Sequence, residues 1–197
     1  DITSSLGGKI RGYAIAGGSG SGKSETAEKL SELDERIQLF SLDNGFLGPR
    51  VISGNRKDYD HPDVYNIEVF NATINQFRNG FNEFILPIYK KSDGSHIRKR
   101  YNLKGKKVII IEGIHALNNK LLAEIDVGIF IEVNSKARLE RRIKRDEEYY
   151  GRTVVQIKEA WDLVENVYIN HVWPTRKYAH LVIKNEVSVK ELEKLLK

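Results

Sequence analysis

Eight residues constrain this chain more than any others: Gly17-Gly18-Ser19-Gly20-Ser21-Gly22-Lys23-Ser24 satisfies the pattern G-x-x-x-x-G-K-[ST] at every fixed position. The setting gives the pattern its weight. Gly12-Tyr13-Ala14-Ile15-Ala16 ahead of it is a short apolar run of buried-strand type, and Ser24 to Leu33 behind it reads as a helix. Strand, glycine loop and helix in that order make a phosphate cradle. Gly18, Ser19, Gly20, Ser21 and Gly22 can turn backbone N–H groups inward, and the helix N-terminus adds partial positive charge at the same spot. Lys23 would reach the β- and γ-phosphates of a nucleoside triphosphate, and the Ser24 hydroxyl would sit on Mg²⁺. A flexible Gly/Ser linker is the competing reading, but a linker would not be bracketed by a strand and an amphipathic helix.

At 197 residues the chain has room for one well-buried domain, taken as residues 1–197, and is short for two. No apolar run approaches the length needed to span a bilayer, and the start carries no signal-peptide pattern, so a soluble cytoplasmic protein without a membrane partner is expected. The absence of cysteine excludes disulfides and thiolate metal sites, so any metal must be held by oxygen or imidazole. The formal charge of +5 is spread along the chain among acidic neighbours. A polyanionic small ligand explains it as well as nucleic acid would, and nucleic-acid binding is the weakest reading.

Strand candidates alternate with helical ones, which predicts a parallel sheet with helices on both faces. Ile37 to Leu42 is a strand that delivers Asp43 at its C-terminal end, and Lys107 to Ile111 is a buried strand that delivers Glu112. Asn44 to Tyr59 reads as a long polar loop. Ile67, Phe70, Ile74 and Phe77 step by three and four along a helix that stops at Gly80. Phe84 to Tyr89, broken by Pro87, suits an edge strand, and Asp93-Gly94 within the polar stretch 90–100 signals a small hairpin. Val127 to Val133 is the next strand, followed by a helix from Ser135 to Glu148. A further helix carries Ile157, Trp161, Val164 and Tyr168; a strand near His180 to Ile183 and a helix opened by Ser188 with Glu191 close the chain. Trp161 and Trp173 read as core or subunit-contact residues, which leaves a homo-oligomer open.

Phosphoryl transfer asks for metal-holding oxygens, a base for the acceptor, and cations over the moving group. Asp43 and Glu112 end neighbouring strands on the rim where ligands bind in open α/β sheets, so both are candidate magnesium ligands beside Ser24. Asp43 is also the candidate base, because it leads into the long loop where an acceptor would lie. Arg138, Arg142 and Arg145, spaced four and three, share a helical face, and Gly151-Arg152 follows. A helix-Gly-helix arrangement rich in arginine suits a lid over a triphosphate, at roughly 138–153, although such a stripe can also be a solvated face. The five histidines lack metal-ligand spacing. His96 stands with Arg98 in the hairpin, beside Tyr89, where an acceptor's sugar or base could be gripped.

With these pieces in order the chain resembles the uridine-cytidine kinase family of P-loop small-molecule kinases, from about Gly12 to Lys184. The matching landmarks are the glycine loop, Ser41-Leu42-Asp43, Tyr59-Asp60-His61-Pro62-Asp63-Val64-Tyr65, Pro87-Ile88-Tyr89, His96-x-Arg98 and Ile111-Glu112-Gly113-Ile114. Arg138-Leu139-x-Arg141-Arg142-x-x-Arg145-Asp146 with Gly151-Arg152, and Pro174-Thr175-x-x-Tyr178-Ala179, complete the series. The resemblance implies a P-loop NTPase three-layer sandwich with an Arg-rich helical lid, and acceptor-site insertions at roughly 44–62 and 87–103. It implies ATP, or another triphosphate, with Mg²⁺, and a small-molecule acceptor. Asp43 would take the proton of a nucleoside 5′-hydroxyl, with Lys23, Arg142 and Arg145 around the moving phosphoryl group and Arg138 on the donor. Asp60 would hold ribose hydroxyls, Tyr59 would help line the nucleoside site, Tyr89 and His96 would address the base, and Arg152 would belong to lid or substrate. Three positions depart from the family pattern. Gly45-Phe46 offers one aromatic where two are usual, the interval from Tyr89 to His96 is two residues longer, and Ala160 stands where glutamine is expected.

A pyrimidine nucleoside kinase is therefore the leading expectation. The alternatives are the same chemistry on another hydroxyl, such as another nucleoside or ribulose 5-phosphate, and a catalytically silent nucleotide-binding module. A GTPase is disfavoured, since no [NT]-K-x-D stretch occurs; Asn119-Lys120-Leu121-Leu122 lacks the aspartate.

Overall fold

The structure, a computed structural model, describes residues 10–51, 57–90 and 93–184. Its centre is a five-stranded parallel sheet. The strands are β1 (Arg11–Gly17), β2 (Ile37–Ser41), β7 (Val108–Glu112), β8 (Val127–Glu132) and β9 (Leu181–Lys184), in the order β2-β7-β1-β8-β9. β7 is buried at all five positions and β1 at six of seven, as expected of parallel strands covered on both faces. Side chains alternate along β1. Tyr13 and Ile15 join Ile110, Ile129 and Ile131 against Ala27 and Leu30 of α1 (Lys23–Glu32). Ala14 and Ala16 face the other way, into a larger cluster with Phe40, Ile109, Ile111, Phe130 and the Phe70, Ile74 and Phe77 face of α2 (Ile67–Arg78). Each isoleucine, leucine or phenylalanine among them, fully buried, contributes roughly 1.5–3 kcal/mol, so the two faces together hold the sheet between its helices.

Register is what positions the site. Ile15 of β1 and Ser41 of β2 both stand opposite Glu112 of β7. The strand ends leading to the glycine loop, to Asp43 and to Glu112 are therefore level on one rim. The described parts of the loop expected at 44–59 carry regular structure: Leu42–Gly45 forms a 3₁₀ turn at its start, and β3 (Arg50–Val51) pairs antiparallel with β4 (Lys57–Asp58). The hairpin is larger than Asp93-Gly94 suggested. β5 (Glu83–Tyr89) pairs along its whole length with β6 (His96–Asn102), and Pro87 is accommodated because the ribbon has only two strands.

After the short α3 (Asn119–Leu122), α4 (Ser135–Tyr150) opens on Asn134, whose side chain accepts the Ala137 N–H, and closes on Gly151 in the left-handed region at φ 59°. α5 (Val154–Val167) begins with a Thr153/Gln156 capping box. The periodicity that placed Tyr168 on α5 fails there: the backbone passes into a π turn (Tyr168–Val172) and then a 3₁₀ turn (Trp173–Tyr178). The closing helix expected at Ser188 lies outside the described residues. No helix among the described residues is long and apolar enough to cross a membrane.

Candidate active site

The glycine loop is held from behind by α4. At Gly20, with φ +80°, an added Cβ would come within 2.3 Å of the Arg138 carbonyl oxygen, so backbone conformation and space both demand glycine. Gly22, at φ 89°, starts α1 without any side-chain cap, which leaves the first-turn N–H groups to an anion. The Ser24 hydroxyl donates to Glu112 Oε2 at 2.9 Å, linking the loop to the end of β7. Lys23 is buried. Desolvation lowers its pKa below the ordinary lysine value, opposed by the carboxylates of Glu112, Asp43 and Asp60. Asp43 is set by its 3₁₀ turn, where Ser41 Oγ accepts the Asp43 N–H at 3.3 Å.

Lys23 and Asp43 open onto a cavity of about 330 Å³. Of the residues expected to act on donor or acceptor, Ser19, Lys23, Asp43, Tyr59, Asp60, Tyr89, Arg142, Arg145 and Arg152 line it. Arg142 is the junction: its Nη1 donates to Ser19 Oγ at 2.9 Å and lies 3.4 Å from Asp60 Oδ2, joining lid helix, glycine loop and acceptor loop. Asp60 is fixed by its backbone. Its N–H donates to buried Asp58 Oδ1 at 3.0 Å, and its carbonyl accepts from His115 Nε2 at 2.6 Å.

Three expected residues sit elsewhere. Arg138 leaves the stripe: it is 1% exposed, donates through Nε to the Val133 carbonyl, pairs with Glu165 at 2.7 Å and lies 4.0 Å over the Tyr168 ring. It braces the back of the loop, because near the start of α4 the face that points at the cavity further along points under Gly18 and Gly20. His96 is exposed and spends Nε2 on the Phe46 carbonyl at 2.7 Å, so it anchors the acceptor loop to the hairpin. Arg98 is exposed further along β6, opposite Pro87.

The cavity also contains residues to which the sequence assigns no role in the site, and Phe46, which the sequence marks only as one aromatic where two are usual. Phe46 is the hub of an aromatic wall, nearly parallel to Tyr59 (6.1 Å, 15°) and edge-on to Tyr65 and Tyr89 at 5.7 and 4.8 Å. The Tyr65 hydroxyl donates to the Tyr59 carbonyl at 3.0 Å, and burial, then Asp43 and Asp60, raise its pKa well above the usual phenol value. Ile114, Asp146 and Tyr150 complete the lining. Tyr65, Ile114 and Asp146 fell inside quoted motifs; what gave no signal is that contacts 50 or more residues apart bring these segments together.

The oxygens suit magnesium. Ser24 and Glu112 are in contact, Asp43 shares the rim, and among the described residues no three His, Cys, Asp or Glu side chains are grouped so that they could hold a metal by themselves. Magnesium usually takes one or two carboxylates and keeps waters and phosphates for the rest, so this hard, sparse donor set fits it.

The sequence model of the Phosphoribulokinase / Uridine kinase family matches residues 49–192. Over 176 residues the chain is 32% identical to the uridine kinase of Macrococcus caseolyticus, covering 86% of this chain and 85% of that one. Over 181 residues it is 30% identical to that of Streptococcus thermophilus, covering 88% and 85%. Among solved structures, a possible uridine kinase from Bacillus stearothermophilus superposes with a TM-score of 0.63 at 20% identity, covering 92% and 94% of the two chains. Phosphoribulokinase from Rhodobacter spheroides superposes with 0.69 at 11% identity, covering 89% and 70%. A phosphate loop, two strand-end acids on its rim and an aromatic-walled cavity beneath arginines thus accompany a match across most of the sequence: the chain belongs to the phosphoribulokinase/uridine kinase family.

Proposed function

We propose that the protein is an ATP- and magnesium-dependent kinase that moves the γ-phosphoryl group to the 5′-hydroxyl of a pyrimidine nucleoside. The observation that carries this reading is the single cavity shared by Lys23, Asp43 and the Phe46–Tyr59–Tyr89 aromatic wall, which puts donor and acceptor chemistry within one enclosure. Its volume is of the order that small-molecule sites offer. Ser24, Glu112 and Asp43 would hold magnesium, which when bound neutralises charge on the phosphate oxygens.

The chain's own groups then divide the work. The loop N–H groups and the uncapped start of α1 bind the triphosphate. Lys23, Arg142 and Arg145 set cations around the transferred group, in a site partly closed to water where charge acts strongly. Asp43 orients the acceptor hydroxyl and takes its proton as the oxygen attacks phosphorus. Asp60 accepts from the acceptor's hydroxyls, and the aromatic wall holds its base. A sugar phosphate is the second reading, favoured by Arg152, which lines the cavity while its side chain is 42% exposed and so could meet an acceptor's own phosphate.

ADP release measured with ATP, Mg²⁺ and a panel of nucleosides and sugar phosphates tests the proposal. Uridine or cytidine should raise the rate well above ATP alone. Stimulation only by a sugar phosphate would replace the acceptor, and stimulation by none would leave a nucleotide-binding module.

A further inference from the structure

We infer that Asp146 is a positioning residue for phosphoryl transfer, the shared counter-ion that holds Arg142, Arg145 and Arg152 in the orientations from which they reach the phosphates; this rests on the kinase reading above. The carboxylate is 1% exposed, yet its residue lines the cavity. Oδ1 accepts from both Nε and Nη2 of Arg145, at 2.8 and 2.7 Å. Oδ2 lies 3.4 Å from Arg142 Nε and 3.6 Å from Arg152 Nη1. One carboxylate therefore serves three guanidinium groups, two from α4 and one from the turn that follows it.

The helix end does not need this side chain. The Asp146 backbone carbonyl accepts the Gly151 and Arg152 N–H groups and so closes α4, while the carboxylate is left to the arginines. A guanidinium is a rigid planar fork, so fixing one edge fixes where the other edge points. Arg145 commits its Nε–Nη2 edge to Asp146 and keeps its Nη1 side. Arg142 turns Nε toward Asp146 as an ion pair and donates Nη1 to Ser19 of the glycine loop, so the lid's charge is tied to the donor site beside the same carboxylate. With three cations against Asp146 and, at Arg142, Asp60, the cluster still keeps an excess of positive charge for a triphosphate. Without the Asp146 carboxylate, the three guanidiniums repel one another and lose their common direction.

Asp146→Asn keeps the shape and removes the charge. In the full chain it should lower kcat about 100-fold, the usual scale for a misplacement near 1 Å, while KM for ATP and acceptor stay within about threefold. Asp146→Glu keeps the charge but moves it by one methylene, and should recover about tenfold of that loss. A merely structural role would lower the melting temperature and leave kcat per folded molecule within about twofold of wild type, which overturns the inference. If the asparagine variant does not fold, the glutamate variant decides: kcat about tenfold below wild type at unchanged KM supports it, and wild-type kcat refutes it. Side-chain Nε–H spectra of ¹⁵N-arginine protein give a reading independent of turnover. The Arg145 signal, assigned by its loss in Arg145→Lys, should be protected from exchange in wild type and exposed in Asp146→Asn; an unchanged signal contradicts the inference. If wild type phosphorylates no acceptor, the kinase reading fails by itself and these spectra still decide whether Asp146 holds the arginines.

Discussion

Acidification should weaken this protein through one imidazole. His115 is 1% exposed; its Nε2 donates to the Asp60 carbonyl at 2.6 Å, and its Nδ1 is buried without a hydrogen-bond partner. Burial, the largest cause, outweighs the Asp60 carbonyl and lowers its pKa from 6.5 to about 4, with His171 and His61 acting in the same direction. The folded chain therefore resists a proton that the unfolded chain accepts. Stability from this group is complete above pH 6.5, falls as pH drops toward 4, and falls no further below that. At 1.36 kcal/mol per decade the full loss is roughly 3 kcal/mol, of which about 2 kcal/mol is already gone at pH 5. His115→Gln offers the control, since its amide can still donate to Asp60 and does not titrate. Urea unfolding followed through Trp161 and Trp173 fluorescence, at pH 7.5 and pH 5, should show a stability drop about 2 kcal/mol larger in wild type than in the variant. His61, whose pKa burial also lowers, remains in both proteins and cancels from the difference. Equal drops in the two proteins would refute the assignment of a neutral buried imidazole.

Two further outcomes follow from the geometry. Gly20→Ala places a Cβ 2.3 Å from the Arg138 carbonyl at φ +80°, so it should cost about 1–3 kcal/mol in thermal unfolding and weaken ATP at least about tenfold by calorimetry; unchanged binding would mean the loop can move off α4. Ile110→Ala, at the fully buried centre of β7, should cost about 2–5 kcal/mol in urea and leave ATP affinity within about twofold, and a lost affinity at full folding would tie that core position to the site.

Much of the architecture was legible because its causes are local. The glycine loop needs a strand before it and a helix after it, and the apolar runs ending in Asp43 and Glu112 are both parallel strands, the second buried throughout and the first half-buried at the sheet edge. The Phe70–Phe77 stripe of α2 states its own period. The site was legible in its chemistry and less so in its contacts. Arg138 shares periodicity with Arg142 and Arg145, but a helix packed across a loop presents one face to two environments, and only the later turns reach the cavity. His96 reads as an acceptor contact from its neighbours Tyr89 and Arg98, yet the Phe46 carbonyl fifty residues away claims its ring nitrogen. His115 and Asp58 gave no pattern at all, since each holds the acceptor loop through the backbone of Asp60, a contact that periodicity does not encode.

The central claim is that the strand-end acid at position 43 works beside the donor cradle as the acceptor's base. Asp43→Asn, assayed for acceptor-dependent ADP formation and for ATP binding by calorimetry, tests it most directly. A base of this kind contributes about 10²–10⁴-fold, so turnover should fall at least about 100-fold while the ATP dissociation constant stays within about threefold. Turnover within about tenfold of wild type would contradict the claim.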